Sequence, residues 1–195
     1  MQMNSSNPCH CGPVLAVLVS LFVFSHAPAQ EMNKGAMPAS TSLKPAAEWA
    51  PVLKVFDTWE SPRELPAFRP RSAIVVFFLG AECSHCTQKL RELVRDAREA
   101  AGGNVEIIAI SSRRIASAAE ALEMLGVKSS DRFHLLVDES HRSFRDYGCF
   151  NGQPMHGLFV IDGNGVIRAK YAGEAPYADT RQAARWAMQL APAKP

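Results

Sequence analysis

From residue 72 onward the apolar positions follow two alternating rhythms. Ile74-Val75-Val76-Phe77-Phe78-Leu79 is an unbroken β-branched and aromatic run, which predicts a strand buried on both faces. Gly80 ends it. The spacing then becomes helical. Cys86, Leu90, Leu93, Val94, Ala97 and Ala101 share one stripe, with Lys89, Arg91, Glu92, Arg95, Arg98 and Glu99 mostly opposite and Gly102-Gly103 as the stop. Residues 105–110 predict a second strand, and Ser111 or Ser112 can cap a helix carrying Ile115, Ala119, Leu122 and Leu125 up to Gly126. Residues 133–137 predict a third strand and residues 141–147 a short helix. Residues 158–161 then turn through Asp162-Gly163-Asn164-Gly165 into residues 166–171, a hairpin signal. Asp179 is placed to cap a last helix with Ala183, Ala187 and Leu190 inward. The order β-α-β-α-β-α-β-β-α predicts an α/β fold, a mainly parallel sheet flanked by helices with an antiparallel edge from the hairpin.

Upstream the signals weaken. Trp49, Val52, Leu53 and Phe56 have the spacing of a short helix over residues 48–59, and Pro62, Pro66 and Pro70 then argue against regular structure until Ser72. Residues 30–71 therefore read as a leader and irregular segment, flexible up to about Pro45, before one domain at residues 72–192. Residues 14–24 are almost wholly apolar and are followed by Ala27-Pro28-Ala29, the layout of a signal peptide over residues 1–29 cleaved after Ala29. The destination is then periplasmic or secreted. If the leader stays uncleaved it is a membrane anchor, although the run is short for a span.

The 195 residues are 47% hydrophobic and 21% charged, an ordinary globular composition, and the formal charge of +2 argues against nucleic acid as a partner. Of five cysteines, Cys9 and Cys11 fall in the leader, so the Cys9-His10-Cys11 triplet is discarded with it. Cys83, Cys86 and Cys149 remain. One pair and a leftover make too few bridges for a disulfide scaffold, so the pair reads as chemistry.

Cys83-Ser84-His85-Cys86 follows the buried strand and opens the amphipathic helix. Residues three apart at a helix start lie nearly one above the other, so the sulfurs can reach disulfide distance. Unpaired backbone N–H groups and the helix dipole favour an anion at Cys83, which makes it the nucleophile, with Cys86 one turn inside as the resolving thiol. A cationic His85 would add to thiolate stabilisation. A structural zinc site needs four ligands, and the chain has no second C-x-x-C. Cys149 reads as a buried small residue, and His134 and His141 as residues of solvated loops.

The stretch from Ile74 to Leu190 resembles the thioredoxin-like redoxins of the alkyl hydroperoxide reductase / thiol-specific antioxidant (AhpC/TSA) superfamily. The matching pieces are Val75-Val76-Phe77-Phe78-Leu79-Gly80 before Cys83-Ser84-His85-Cys86, Ile107-Ile108-Ala109-Ile110-Ser111, Leu135-Leu136-Val137-Asp138, Tyr147-Gly148 and Phe159-Val160-Ile161-Asp162-Gly163-Asn164-Gly165. The resemblance implies a thioredoxin fold with an inserted αβ segment, and reduction of disulfides or peroxides. Two positions depart from it. Peroxiredoxins place Thr or Ser three residues before the peroxide-attacking cysteine and Pro four residues earlier still, where this chain has Gly80 and Val76. They bring an Arg from the start of the late strand, and thioredoxins place a cis-proline just before that strand. Both positions align with His156, Pro154 lying two residues too early. An imidazole there, facing Cys83, could bond its thiolate, act as a base, complete a metal site or merely cap a loop carbonyl.

Three functions use these residues. The leading one is an exported thiol–disulfide oxidoreductase acting on protein thiols or disulfides, or taking electrons from a membrane or periplasmic donor, with no cofactor. A peroxiredoxin-like antioxidant with Cys83 peroxidatic is the second, lacking the hydroxyl and guanidinium that orient a peroxide. The third is a copper or zinc carrier using Cys83, Cys86 and His156.

Overall fold

The computed structural model describes residues 42–57, 62–64, 71–101, 105–128 and 130–190. The expected signal peptide, most of the leader and the Gly102-Gly103 stop lie outside the described residues. Twelve elements follow in order: β1 (Lys44–Trp49), β2 (Lys54–Asp57), β3 (Pro62–Glu64), β4 (Ala73–Phe78), α1 (Ser84–Ala101), β5 (Glu106–Ser111), α2 (Ala118–Met124), β6 (Phe133–Val137), α3 (Arg142–Asp146), β7 (His156–Ile161), β8 (Val166–Gly173) and α4 (Thr180–Leu190). The strands form one mixed sheet in the order β1-β8-β7-β4-β5-β6-β2-β3. Among the described strands only the pairs β4–β5 and β5–β6 are parallel. This is a thioredoxin fold.

β4 is central and buried at every position. Its alternate side chains feed two cores, as the two-residue period of a strand requires. Ile74, Val76 and Phe78 meet Leu90, Leu93 and Ala97 of α1, Ala183 and Ala187 of α4, and Ala121 of α2. Val75 and Phe77 meet Ile108, Ile110, Phe144, Tyr147 and Phe159 on the other face. Two buried polar ties fix α4 against this frame. Thr180 Oγ1 donates to Asp96 Oδ2 of α1 (2.7 Å), and Ser72 Oγ donates to the Ala187 carbonyl (2.6 Å).

Several expectations are corrected. Residues 48–57, the described part of the expected helix, are not helical: β1 pairs with β8 and β2 with β6, so the segment expected to be irregular joins both ends of the sheet. Pro51 separates the two strands, and of the supposed apolar stripe Trp49 and Val52 are exposed while Leu53 is buried. Pro62 opens the edge strand β3, a position where a missing N–H costs no ladder bond. The hairpin β7–β8 is internal rather than an edge, because β1 covers β8. α2 is capped by Ser117, whose Oγ accepts from the Glu120 N–H, since Ser111 and Ser112 direct their hydroxyls to the carbonyls of Arg113 and Leu79. Asp179 stands at the expected N-cap position of α4, its carbonyl accepting from the Ala183 N–H (2.9 Å), while its carboxylate accepts from the Leu43 N–H (2.9 Å) and so ties the start of β1 to that of α4.

Candidate active site

β4 delivers the chain to the carboxyl rim of the sheet, where ligand chemistry in α/β folds gathers. There Gly80 adopts φ +137°, and a Cβ on it would stand 2.7 Å from Glu82 Oε2. The turn closes with the Cys83 N–H donating to the Gly80 carbonyl (3.3 Å). Cys83 is the residue immediately before α1. Its carbonyl accepts the first helical bond from Thr87 (3.0 Å), and its Sγ accepts from the Cys86 N–H at 3.3 Å. The sulfur thus occupies the place of an N-capping oxygen. In the thiolate state the same bond is charge-assisted, which favours the anion there.

Cys83 and Cys86 are joined as a disulfide with their Cα atoms 5.2 Å apart. Cys83 is half-buried and Cys86 fully buried, so the outer sulfur alone is presented to a partner. His85 is exposed on the first turn of α1, and among the described residues its ring bonds neither sulfur. Any charge it carries acts through solvent and is screened.

His156 is the first residue of β7 and is buried. Its ring faces Cys86 rather than Cys83: Nε2 lies 3.2 Å from Cys86 Sγ and Nδ1 lies 2.8 Å from the Glu174 carbonyl oxygen. A carbonyl only accepts, so Nδ1 carries the hydrogen and the neutral ring turns its Nε2 lone pair toward the sulfur. Burial lowers the His156 pKa, opposed by the bond to Glu174. One donor atom from each of Cys83, Cys86 and His156 lies within 4.8 Å of the others.

The remaining candidates sit elsewhere. Cys149 is fully buried against Gly157, and burial pushes its thiol far up, as an inert sulfur requires. His134 lies within β6 and pairs with Glu106 Oε2 at 3.1 Å. His141 adopts φ 55°, donates to the Ser112 carbonyl (3.1 Å) and packs on the Phe144 and Phe150 rings, so neither histidine is a loose loop residue. A groove of about 550 Å³ on the same rim is walled by Leu79, Glu82, Arg113, Glu139, His141 and Pro154. Sequence reasoning missed this groove and the Glu174 carbonyl. Glu82 and Arg113 are charged residues in the loops that follow β4 and β5 at the rim, and that was the available signal.

The chain matches the AhpC/TSA family over residues 47–170. No curated protein matches it. Among solved structures, a peroxiredoxin-like protein from Aquifex aeolicus is 12% identical, with 74% of this chain and 86% of that one covered and a TM-score of 0.61. A thiol peroxidase from Chromobacterium violaceum is 17% identical, with 75% and 87% covered and a TM-score of 0.61. A putative thiol:disulfide interchange protein DsbE from Chlorobium tepidum is 20% identical, with 73% and 97% covered and a TM-score of 0.54. At such identities the likeness is one of fold.

Proposed function

This chain belongs to the AhpC/TSA family, and we propose that within it the protein is an exported thiol–disulfide oxidoreductase that exchanges the Cys83–Cys86 disulfide with protein thiols or disulfides. One observation carries the reading: the half-buried, outer member of the pair sits at a helix start with the Cys86 N–H aimed at its Sγ, and its bonded partner is fully buried one turn inside.

The chemistry balances in either direction. In the reduced protein the Cys83 thiolate attacks a partner disulfide, one partner sulfur leaves as thiolate, and a mixed disulfide remains. Cys86 then attacks Cys83 Sγ, the mixed bond breaks, and the second partner sulfur leaves. The partner has gained two electrons and the pair has lost them. Run backward, a partner dithiol reduces the pair, and a membrane or periplasmic donor could do the same. The apolar leader ending at Ala29 supports export to a periplasm or beyond, where disulfides persist. Among the described residues no helix is long and apolar enough to cross a membrane.

The other two readings use the same sulfurs with less support. A peroxide would meet no hydroxyl at Gly80 and no guanidinium at His156. A soft cation would need both thiolates, and so only the reduced pair, with His156 as a third ligand, could hold it. With insulin as the disulfide probe, Cys83→Ser is expected to abolish exchange, and Cys86→Ser to accumulate a mixed disulfide visible by intact mass. Wild-type turnover in both variants would overturn the assignment.

A further inference from the structure

Resolution of the mixed disulfide sets a problem that the pair alone does not solve. Cys86 must act as a thiolate, yet it is fully buried. Burial disfavours the anion, and no solvent reaches the sulfur to remove its proton. Cys83 cannot help, because at that stage its sulfur is bonded to the partner. Among the described residues, the groups that face Cys86 Sγ are the Cys83 sulfur at the position before α1 and, from β7 across the sheet rim, His156 Nε2 at 3.2 Å. The group facing the far side of the ring is the Glu174 carbonyl at the end of β8, which is uncharged and fixes the hydrogen on Nδ1.

We propose that His156 is the general base of the resolving step, taking the proton of Cys86 on Nε2 as the sulfur attacks Cys83. The proposal rests on the exchange reading above. Atoms and electrons balance. The Cys86 S–H bond breaks as Nε2–H forms. The Cys86–Cys83 bond forms as the Cys83–partner bond breaks, and the partner leaves with the electron pair. The partner sulfur leaves on the side of Cys83 away from Cys86 and takes up its proton from solvent, while the imidazolium, whose Nε2 lies 3.2 Å from Cys86 Sγ, returns its own proton to solvent once the Cys83–Cys86 bond has closed. Its buried setting favours that return, since burial destabilises the charged ring. In the opposite direction the imidazolium protonates Cys86 as the disulfide is reduced. His156 therefore touches a reacting atom and serves both directions, while Glu174 positions it through its backbone.

The test uses the full chain with Cys9→Ser and Cys11→Ser, fully reduced, mixed in a stopped-flow instrument with an aromatic disulfide whose thiolate is coloured. One coloured thiolate is released when Cys83 attacks and a second when Cys86 resolves, so the two steps are read separately. In His156→Gln, which can bond both neighbours but cannot carry the proton, the first release is expected to be unchanged. The second should slow by about a hundredfold, the low end for a positioned general base. In His156→Ala, added imidazole should restore the second release and leave the first alone. Should either variant fold poorly, the wild type supplies an independent reading: its second release should lose rate toward acid pH with an inflection that the first lacks. A second release equally fast in His156→Gln, or a wild type without that extra inflection, overturns the role of His156 while exchange stands. A wild-type first release no faster than that of free cysteine overturns the exchange reading and this inference with it.

Discussion

Gly157→Ala is expected to destabilise the domain, although alanine is ordinarily the better residue. Gly157 lies in β7 between His156, which faces α1, and Leu158. Its φ is not in the left-handed region, so the backbone would tolerate a side chain. Removing a glycine at a compatible position stabilises by about 0.4–1 kcal/mol through the unfolded chain. Space decides the opposite. A Cβ here would collide with Cys149 Sγ, stand 2.8 Å from Phe159 Cε2 and 3.2 Å from Phe77 Cδ2. None of these atoms ends a flexible chain. The Phe159 ring is held by edge contacts to Phe77 and Tyr147, with centroids 5.7 and 5.0 Å apart. Overpacking of this kind costs about 1–3 kcal/mol, so the net loss is about 2 kcal/mol at the upper end. For a domain of this size that is a fall of about 4–8 °C in Tm, read by circular dichroism on heating. Cys149→Ala removes the worst obstacle. The double variant should be more stable than the sum of the singles by about 1 kcal/mol, and exchange should slow in Gly157→Ala because its neighbour is His156. A Gly157→Ala protein as stable as wild type, or strictly additive energies, would refute the packing argument.

Two further outcomes are expected. Hydrogen peroxide should oxidise Cys83 no faster than it oxidises free cysteine in stopped-flow thiol consumption, and a much higher rate would show that groups other than those named orient peroxide. Asp131 is held below its ordinary pKa, chiefly by the Arg98 side chain, whose Nε donates to Oδ1 (3.2 Å) and NH2 to Oδ2 (2.5 Å). Its folded pKa lies below the unfolded one, so its stabilisation is complete above the ordinary aspartate value of about 4 and is lost as pH falls through the folded value. Thermal midpoints across that window should fall less steeply in Arg98→Met than in wild type, and parallel curves would count against the pair.

The parts of the fold legible in the sequence are those whose burial dictates composition. β4 is covered on both faces, so its run admits no polar residue, and α1 buries one stripe, so its apolar positions recur at helical spacing. The C-x-x-C pair could be placed at the rim because a strand must end before it and a helix must begin at it. β1 and β2 were hidden for the converse reason. β1 is exposed along most of its length, and Trp49 is 71% exposed, so the apolar pattern there reflects no buried face. Asp96 shows a similar limit. It lies among charged residues in the sequence, where no local pattern marks it as inward, yet it is buried and accepts from Thr180 of a distant helix. His156 was found by counting from the glycines of the hairpin turn. Its orientation was not, since that depends on β4 pairing with β7 and on β8 returning Glu174 to the ring.

The difference from the peroxiredoxin pattern at Gly80 lies in the backbone as well as in the side chain. If a hydroxyl three residues before Cys83 were all that was missing, Gly80→Thr would supply it. At φ +137° a β-branched residue is strained whatever the space around it. Its Cβ would also enter the 2.7 Å gap to Glu82 Oε2, an atom that could move, whereas the dihedral could not without shifting the turn. That turn sets the Cys83 N–H on the Gly80 carbonyl and so the start of α1. Forcing a hydroxyl into place would therefore displace the helix start that favours the Cys83 anion. The loop is committed to presenting one sulfur and burying its neighbour, and a histidine stands over the buried one. These features fit the proposed exchange, in which the second sulfur must act.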